Sequence, residues 1–468
     1  MIPQSLQNFR NILERQKRAY LADSSGLRQR KINFKGVKRT MPFQVENLAE
    51  AIRDVKTKLR RELPAYAKVF QEVESEMCRK VAQIVKEREA GEPVIPILQY
   101  SDIAAGSVSP QMIAKIKDRG ACVIRNTFAP EQARSWDDEI AKYVEENRLN
   151  EKLANAAEDK YFGTLAAAKP QIYGIYWSRP QVEARQSESL TRVRTFLNRL
   201  WVAESEGRRH FEPDQVPVYA DRIRRRPPRS SSLGLSPHVD GGSVERWLEP
   251  NFSNVYRHVF SGGWREYNPF DAAWRPDAQE FPSPAVCSMF RTFQGWTALT
   301  RQGQGDGTLQ LIPIANGMVY MLLRALQSDV PEEELCGAKP GRALSVNPEW
   351  HSLLLEALTS IPLMQSGDTV FWHSDVVHAV ENEHKGIGYS NVMYIAATVG
   401  CEKNSSYMSK QAPAFLSGKT PPDFAPDNFE VDFIGRATEA DLTALGRSQM
   451  GLPPLTAEVK TNANRRIR

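Results

Sequence analysis

The spacing of hydrophobic residues changes part-way along the chain. Residues 46–90 place apolar positions at helical intervals among Glu, Lys and Arg, with a break at Pro64, and predict two helices. From about residue 217, short apolar or alternating runs are separated by Gly, Pro, Asn and Asp, which is typical of strands and turns. We therefore predict a helical part over residues 46–214, a strand-rich core over 215–408 and a C-terminal extension over 409–468.

The same patterns predict individual elements. Further helices are expected from residue 110 onward, where Ser109 can cap a helix that begins with Pro110, and at residues 130–147, 182–203, 317–335 and near 350–359. The expected strands are residues 121–125, 216–224, 238–240, 287–299, 308–313, 369–373, 378–381 and 390–398.

The composition narrows the class of protein. With 468 residues, 41% of them hydrophobic, the chain can bury a large core. No apolar run reaches the roughly 20 residues that span a bilayer, so no membrane association is expected. The five cysteines are scattered without close pairs, which predicts reduced thiols in a cytoplasmic protein and argues against a zinc-ribbon or iron–sulfur site.

The net charge of +5 is concentrated at the start of the chain, where residues 1–40 contain ten Lys or Arg and two acids. We expect residues 1–45 to form a basic, flexible arm. An apolar helical face that includes Leu6 and Phe9 leaves a mitochondrial leader as one alternative and a nucleic-acid or membrane arm as another. The mild charge of the whole chain predicts no nucleic-acid partner.

The candidate chemistry lies in the strand-rich core. His238 and Asp240 are two residues apart, so on a strand both side chains point to one face and can hold one metal ion. A third ligand must come from a distant strand, and His373 and His378 both offer one. Two imidazoles and one carboxylate form the facial triad of non-haem Fe(II) oxygenases, which leaves open positions on the metal. Taken alone, a His-x-Asp triplet is common by chance, so its context decides its meaning.

That context is given by three segments in order along the core, which are residues 237–240, residues 295–299 with 307–313, and residues 367–373 leading to His378. Together they resemble the double-stranded β-helix oxygenases of the phytanoyl-CoA-dioxygenase type. The resemblance implies a mainly β jelly-roll (cupin-like) core with flanking N-terminal helices, an α+β chain overall. It also implies Fe(II) held by His238, Asp240 and His378, 2-oxoglutarate as co-substrate, and Trp296 near the metal.

Four further segments extend the similarity beyond the core, and they are residues 219–228, 245–247, 290–296 and 401–404. They resemble the YbiU-like proteins, a bacterial and fungal family of unknown function, and the similarity runs from about residue 45 almost to the end. It implies a shared fold with an iron-type pocket and does not indicate a substrate.

One position departs from the oxygenase pattern. In the phytanoyl-type family an arginine eleven positions after the last histidine binds the far carboxylate of 2-oxoglutarate, and that position is Tyr389 here. Replacing a charged, bidentate contact by one neutral hydrogen bond costs about 1–3 kcal/mol of binding. Either another cation takes over or the co-substrate differs. The candidates for contact with a co-substrate are Arg291, Arg222 and Arg224, with Tyr389 and Asn391 on one face of a strand.

Arg222, Arg224 and Arg226 alternate, so they suit an anionic substrate or co-substrate if their face lines the pocket, and form an ordinary edge row if it faces water. His384 lies in a polar turn and is expected to be exposed. The favoured function is an Fe(II)/2-oxoglutarate-dependent dioxygenase that oxidises a small molecule without a separate acid or base. A cupin-type metal enzyme that does not use 2-oxoglutarate and a non-catalytic binding protein are the alternatives. The sequence does not indicate an oligomeric state.

Overall fold

A computed structural model describes residues 45–155, 171–232, 236–281 and 287–454. The expected basic arm, apart from its last residue, lies outside these ranges, as do residues 455–468 of the predicted C-terminal extension. The described residues all belong to one compact unit.

Helices open the described chain, as predicted. The first begins after Asn47, whose side chain accepts a hydrogen bond from the Glu50 amide, and the second follows the break at Pro64. Within the described ranges no helix is both long and apolar enough to cross a membrane. In chain order the helices are α1 (Leu48–Glu62), α2 (Tyr66–Glu89), α3 (Tyr100–Ala105), α4 (Pro110–Arg119), α5 (Pro130–Glu146), α6 (Leu149–Asn155), α7 (Arg179–Arg185), α8 (Glu188–Asn198), α9 (Glu245–Leu248), α10 (Pro250–Val255), α11 (Arg257–Phe260), α12 (Met318–Arg324), α13 (Pro348–Leu355), α14 (Glu402–Ser417) and α15 (Ala444–Gln449).

Two predicted helices differ from those observed. The helix expected over residues 182–203 is the pair α7 and α8, because the Ser187 side chain accepts a hydrogen bond from the Leu190 amide and starts a new helix there. The helix expected over residues 317–335 ends early, at Arg324.

The strands form two large sheets and one small hairpin. In chain order they are β1 (Ile97–Gln99), β2 (Ala121–Arg125), β3 (Ile172–Tyr173), β4 (Glu204–Ser205), β5 (Arg208–Arg209), β6 (Ile223–Arg226), β7 (His238–Val239), β8 (Arg291–Ala298), β9 (Leu309–Ile312), β10 (Leu344–Ser345), β11 (Thr359–Ser360), β12 (Thr369–His373), β13 (Val377–Val380) and β14 (Ser390–Thr398). The larger sheet has the order β1-β2-β12-β8-β14-β6-β3, and the smaller one β10-β7-β13-β9-β11. Both are antiparallel apart from the β1–β2 pair.

The two sheets share an apolar interior. Trp296 and Trp372 of the seven-stranded sheet belong to the same buried cluster as Leu309 and Leu311 of the five-stranded sheet. The outer faces are covered by helices, since the seven-stranded sheet also packs with residues of α5 and α8, and the five-stranded sheet with residues of α2. The chain is therefore a mixed α/β protein built on two large sheets. The space between the sheets is where the three predicted metal ligands and four of the predicted co-substrate residues meet.

One glycine is required for this packing. A side chain at Gly295, in the middle of β8, would place its Cβ 2.5 Å from the Val370 carbonyl oxygen and 2.6 Å from the Phe371 ring. The close approach of β8 and β12 behind the cavity therefore depends on the absence of a side chain at this position.

Candidate metal centre

The structure brings His238, Asp240 and His378 together at one place in the five-stranded sheet. His238 begins β7 and lies directly opposite His378 of β13 in the antiparallel register. One ligand atom from each residue falls within 4.8 Å of the others. The Nε2 atom of His238 is 3.4 Å from one carboxylate oxygen of Asp240, and the Nε2 atom of His378 is 3.6 Å from the other. The group has the donor set and the spacing of a site for one metal ion.

The two imidazoles are held in a consistent orientation. The Nδ1 atom of His238 lies 2.7 Å from the Ser236 carbonyl oxygen, and Nδ1 of His378 makes a longer 3.4 Å contact with the Val376 carbonyl oxygen. When Nδ1 donates to a carbonyl, the lone pair of the neutral ring is on Nε2, which is the atom that faces Asp240. The backbone thus selects the tautomer that binds metals.

The charges at the centre favour the ligand forms of Asp240 and His378, whereas the burial of His238 is outweighed by its hydrogen bond with Asp240, which raises the pKa of this imidazole. Burial alone would raise the pKa of Asp240, but the imidazoles of His378 and His238 outweigh it and hold this pKa well below its usual value. Burial and the neighbouring His238 ring lower the pKa of His378. Asp240 and His378 are thus in the state that binds a metal, and a protonated His238 releases its proton when the metal binds.

His373, the alternative ligand, lies in a different environment. Its ring stacks on Trp201 at 4.7 Å on the outer, helix-covered face of the seven-stranded sheet. Its Nδ1 accepts from the Asp375 amide at 3.0 Å, and its Nε2 is 2.9 Å from the Pro269 carbonyl oxygen. Both ring nitrogens are therefore occupied, and the structure groups His378 rather than His373 with the other two residues.

A cavity of about 180 Å³ opens beside the three residues, between the two sheets. Four of the six predicted co-substrate residues line it, and they are Arg222, Arg224, Arg291 and Trp296. The first two extend from the strand region around β6, and the other two are at the start and the middle of β8. The cavity therefore combines a candidate metal centre on one sheet with cationic side chains on the other.

The arginines of the alternating row are not equivalent. Arg222 is balanced by Asp221, 3.4 Å away, and its guanidinium lies 4.9 Å from the centre of the Phe424 ring. Arg224 is only 6% exposed, and its Nε and Nη2 atoms are buried without a hydrogen-bond partner. A buried, unpaired guanidinium is costly unless an anion binds to it. Arg224 is therefore the strongest candidate for an anion contact in the cavity.

Arg226, the third arginine of the row, has a structural role. It is fully buried and donates to the carbonyl oxygens of Gly307 at 2.9 Å and Glu381 at 2.8 Å, as well as to those of Ser230 and Asn382. Its guanidinium thus fastens the loop before β9 to the loop after β13. Arg222 and Arg224 therefore line the cavity, whereas Arg226 is buried among backbone carbonyls. The row is not an edge row that faces water.

The structure corrects the predicted position of two co-substrate candidates and of one histidine. Tyr389 is 49% exposed and lies outside the cavity, with its ring 5.9 Å from the Arg225 guanidinium. Asn391 also does not line the cavity, because its amide donates to the Asp137 carboxylate at 2.9 Å. His384 is buried rather than exposed, since its Nδ1 accepts from the Gly386 amide.

Comparison with known proteins places the chain in a family. A family model described as Gig2-like matches residues 46–452. The chain belongs to the Gig2-like family. This Gig2-like chain is 45% identical over 404 residues to the uncharacterized protein YbiU of Escherichia coli K12, which covers 86% of this chain and 96% of YbiU. The predicted resemblance to the YbiU-like proteins is thereby confirmed.

Solved structures agree with this membership. A Salmonella typhimurium LT2 protein, provisionally named an oxidoreductase, matches the Gig2-like chain with a TM-score of 0.84 and 42% identity, over 88% of this chain and 99% of its own. The GlcNAc-inducible Gig2 protein of Candida albicans matches with a TM-score of 0.74 and 24% identity, over 91% of this chain and 95% of its own. The Candida structure shows that the fold is shared.

The sequence patterns did not identify one wall of the cavity in the Gig2-like chain. Asp423 and Phe424, from the predicted C-terminal extension, line it. Asp423 accepts from the Ser288 amide and hydroxyl, each at 2.7 Å, and the Phe424 ring packs 4.9 Å from the Tyr176 ring. An aromatic residue after Pro-Pro-Asp in a polar extension was the available signal.

A second buried cluster in the Gig2-like chain lies next to the metal centre. Asp375 accepts from Arg246 and Arg275, each at 2.8 Å, and from the hydroxyls of Tyr256 and Tyr267, each at 3.2 Å. Arg246 also donates to the Asp240 carbonyl oxygen at 3.0 Å. In the sequence, Arg246 was only one residue of a segment that resembles the YbiU-like proteins. The structure shows that it supports the loop of a candidate ligand.

Proposed function

We propose that this protein is a non-haem Fe(II)- and 2-oxoglutarate-dependent oxygenase that oxidises a small molecule. The observation that carries the proposal is the grouping of His238, Asp240 and His378, with ligand atoms within 4.8 Å of one another, at the wall of an internal cavity. This donor set suits Fe(II) and leaves positions for a co-substrate and O₂. In the same proposal, the two facing sheets are the halves of a double-stranded β-helix.

The residues present fit a bound metal. Both Nε2 atoms point toward the Asp240 carboxylate, at 3.4 and 3.6 Å, while the Nδ1 atoms face backbone carbonyls. Fe(II), when bound, supplies the redox chemistry with O₂ that amino-acid side chains lack. Arg246, through its contact with the Asp240 carbonyl oxygen, keeps the carboxylate ligand in place.

The residues also fit 2-oxoglutarate. The co-substrate needs a cation for the carboxylate that lies away from the metal, and Arg224 offers Nε and Nη2 without partners. A carboxylate can accept from both atoms at once, which gives a charge-assisted, bidentate contact. Trp372 lines the same cavity, and its Nε1 is another buried donor without a partner. Arg224 thus takes the place of the arginine that the phytanoyl-type family has at position 389.

The remaining walls keep the reacting groups out of bulk water. Trp296 and Trp372 close the side of the seven-stranded sheet, and Phe424 closes the side formed by the C-terminal segment. Apolar walls strengthen the contacts of charged groups inside the cavity and protect reactive species from side reactions. The protein therefore positions the reacting groups and excludes water from them. No separate acid or base is predicted for the reaction.

One observation favours a second function. Tyr389 occupies the position at which the phytanoyl-type oxygenases have an arginine, yet it is exposed and outside the cavity. A metal-dependent enzyme of the cupin type that does not use 2-oxoglutarate would have no need for that arginine. The two functions differ in whether 2-oxoglutarate is consumed.

Succinate formation tests the proposal. The Fe(II)-loaded protein is supplied with 2-oxoglutarate and O₂, and succinate and CO₂ are measured. We expect both products from the wild type and neither from Asp240→Ala. Arg224→Gln should need about tenfold more 2-oxoglutarate, equivalent to about 1.4 kcal/mol. Arg225→Gln serves as the matched control, because Arg225 lies outside the cavity and contacts Asp137. Iron binding without any turnover or binding of 2-oxoglutarate would support the second function instead.

A further inference from the structure

Arg291 is a second cation in the cavity that forms no ion pair with the described residues. It is the first residue of β8, and its guanidinium lies 5.7 Å from the centre of the Tyr219 ring. Within the ranges that the structure describes, no hydrogen bond or ion pair joins its side chain to another residue. Unlike Arg224, it is partly exposed, so its donors are accessible from the cavity.

The three carboxylates that line the cavity are already engaged. Asp221 accepts from the amide and the side chain of Arg222, and Asp423 accepts from the amide and hydroxyl of Ser288. Asp240 faces the two imidazoles of the metal centre. None of these carboxylates accepts a hydrogen bond from Arg291, so its guanidinium donors are left for the oxyanion of a ligand.

Arg291 and Arg224 occupy different parts of the cavity. Arg291 and Asp240 both also line a second, smaller cavity of about 60 Å³, whereas Arg224 lines only the larger one. Arg291 is thus on the side of the metal ligand Asp240, and Arg224 is on the side of β6 and β14. One molecule of 2-oxoglutarate has a single carboxylate free of the metal, so it can satisfy only one of these two arginines.

We infer that the substrate is a small acid whose oxyanion, a carboxylate or a phosphate, binds Arg291. The inference rests on the proposed function in one respect, since it gives Arg224 to 2-oxoglutarate. A guanidinium binds either oxyanion through two parallel N–H donors. Anchored there, an acid places the rest of its carbon skeleton beside His238, Asp240 and His378, while Tyr219 and Gln294 line the space around it. Arg291 would therefore determine which molecules are accepted.

Binding of labelled sulfate, measured by equilibrium dialysis of the anaerobic Fe(II)-loaded protein, counts the anion sites. Without 2-oxoglutarate the wild type should bind two sulfates, and with saturating 2-oxoglutarate one. Arg291→Gln should then bind none, a loss of at least tenfold in affinity, whereas Arg291→Lys should keep weaker binding. Arg199→Gln is the control, because Arg199 is an exposed arginine paired with Asp214. Acetate added as a competitor separates a carboxylate site, from which it displaces sulfate readily, from a phosphate site.

The outcomes separate this inference from the proposed function. If Arg291→Gln loses one sulfate but 2-oxoglutarate displaces none from the wild type, the Arg291 site stands and the assignment of 2-oxoglutarate to Arg224 fails. If Arg291→Gln retains the wild-type sulfate site in the presence of 2-oxoglutarate, the inference is overturned. Circular dichroism of each variant establishes that a lost site is not an unfolded protein.

Discussion

Two clusters of charged residues lie inside this protein and use their polar atoms in opposite ways. Around Asp375, two arginines and two tyrosines donate to one carboxylate, so both of its oxygens are satisfied. Around the cavity, Arg224 has buried donors without partners, and Arg291 forms no ion pair with the described residues. Burial of charge is common to both clusters, and only the second retains unused binding capacity. That unused capacity distinguishes a site for ligands from a structural network.

The two clusters are joined through Arg246. It donates to the Asp375 carboxylate and to the Asp240 carbonyl oxygen. Asp240, the candidate ligand, is followed by Gly241 and Gly242, whose φ angles of 77° and 106° suit glycine, and Arg246 supports this loop. We call the group around Asp375 the closed cluster and the group around the cavity the open cluster. The closed cluster therefore stabilises the open one, and substitutions can change each cluster separately.

The largest expected effect is on the closed cluster. Asp375→Asn leaves Arg246 and Arg275 buried without a counter-charge, so we expect the free energy of unfolding to fall by about 3–5 kcal/mol. Chemical denaturation measures it. Asp214→Asn breaks an exposed pair with Arg199 and should leave the denaturation midpoint unchanged. A change at Asp375 as small as the one at Asp214 would contradict the structural role of the cluster.

The pH dependence of stability gives the next largest effect. Burial, followed by the charge of Arg275, lowers the pKa of His373 to about 3. Unfolded histidine has a pKa of about 6.5, so between these values the unfolded chain binds a proton that the folded chain does not. The free energy of unfolding therefore falls as the pH falls below about 6.5, by up to about 1.4 kcal/mol per pH unit. His373→Gln should show a shallower slope from pH 6.5 to 5, and an unchanged slope would contradict this environment for His373.

A smaller effect on stability is expected at the open cluster. Asp240→Ala removes the carboxylate that faces both imidazoles, yet this group is partly exposed, and no Lys or Arg of the described residues forms an ion pair with it. Without added metal, we expect its free energy of unfolding to differ from that of the wild type by about 1 kcal/mol or less. Calorimetric melting of the metal-free proteins tests this. A loss as large as that of Asp375→Asn would mean that the two clusters do not differ in kind.

The features that were predicted correctly depend on residues that are close together in the sequence. The strands β12 and β14 have the predicted bounds, because their apolar runs and flanking turn residues are local features. The pair His238 and Asp240 was found for the same reason, since the period of a strand brings residues i and i+2 to one face. The division of the helix at Ser187 shows the limit of such patterns, because a single capping side chain decided it.

Contacts between distant residues explain what the sequence missed. Asp375 meets Arg246 and Arg275 across 129 and 100 residues of chain. Phe424 reaches the cavity from a segment whose composition indicated only an extension. Tyr389 was placed by analogy with an arginine, but its side chain is exposed just before β14. Satisfied and unsatisfied donors can be told apart only when such partners are known.

The smallest effect is expected from the N-terminal arm. Residues 1–40 precede α1, the first helix of the described residues, and precede the segment that matches the family. A chain that begins at Thr40 should melt within a few degrees of the full-length protein and retain its metal binding. A large loss of stability would mean that the arm packs on the core or bridges subunits.

The central claim is that His238, Asp240 and His378 hold an iron to which 2-oxoglutarate binds. Anaerobic titration of Fe(II) and 2-oxoglutarate, followed by visible absorption, tests it most directly. We expect a charge-transfer band at about one iron per chain in the wild type and in His373→Ala, and no band in His378→Ala. A band that persists in His378→Ala and disappears in His373→Ala would contradict it.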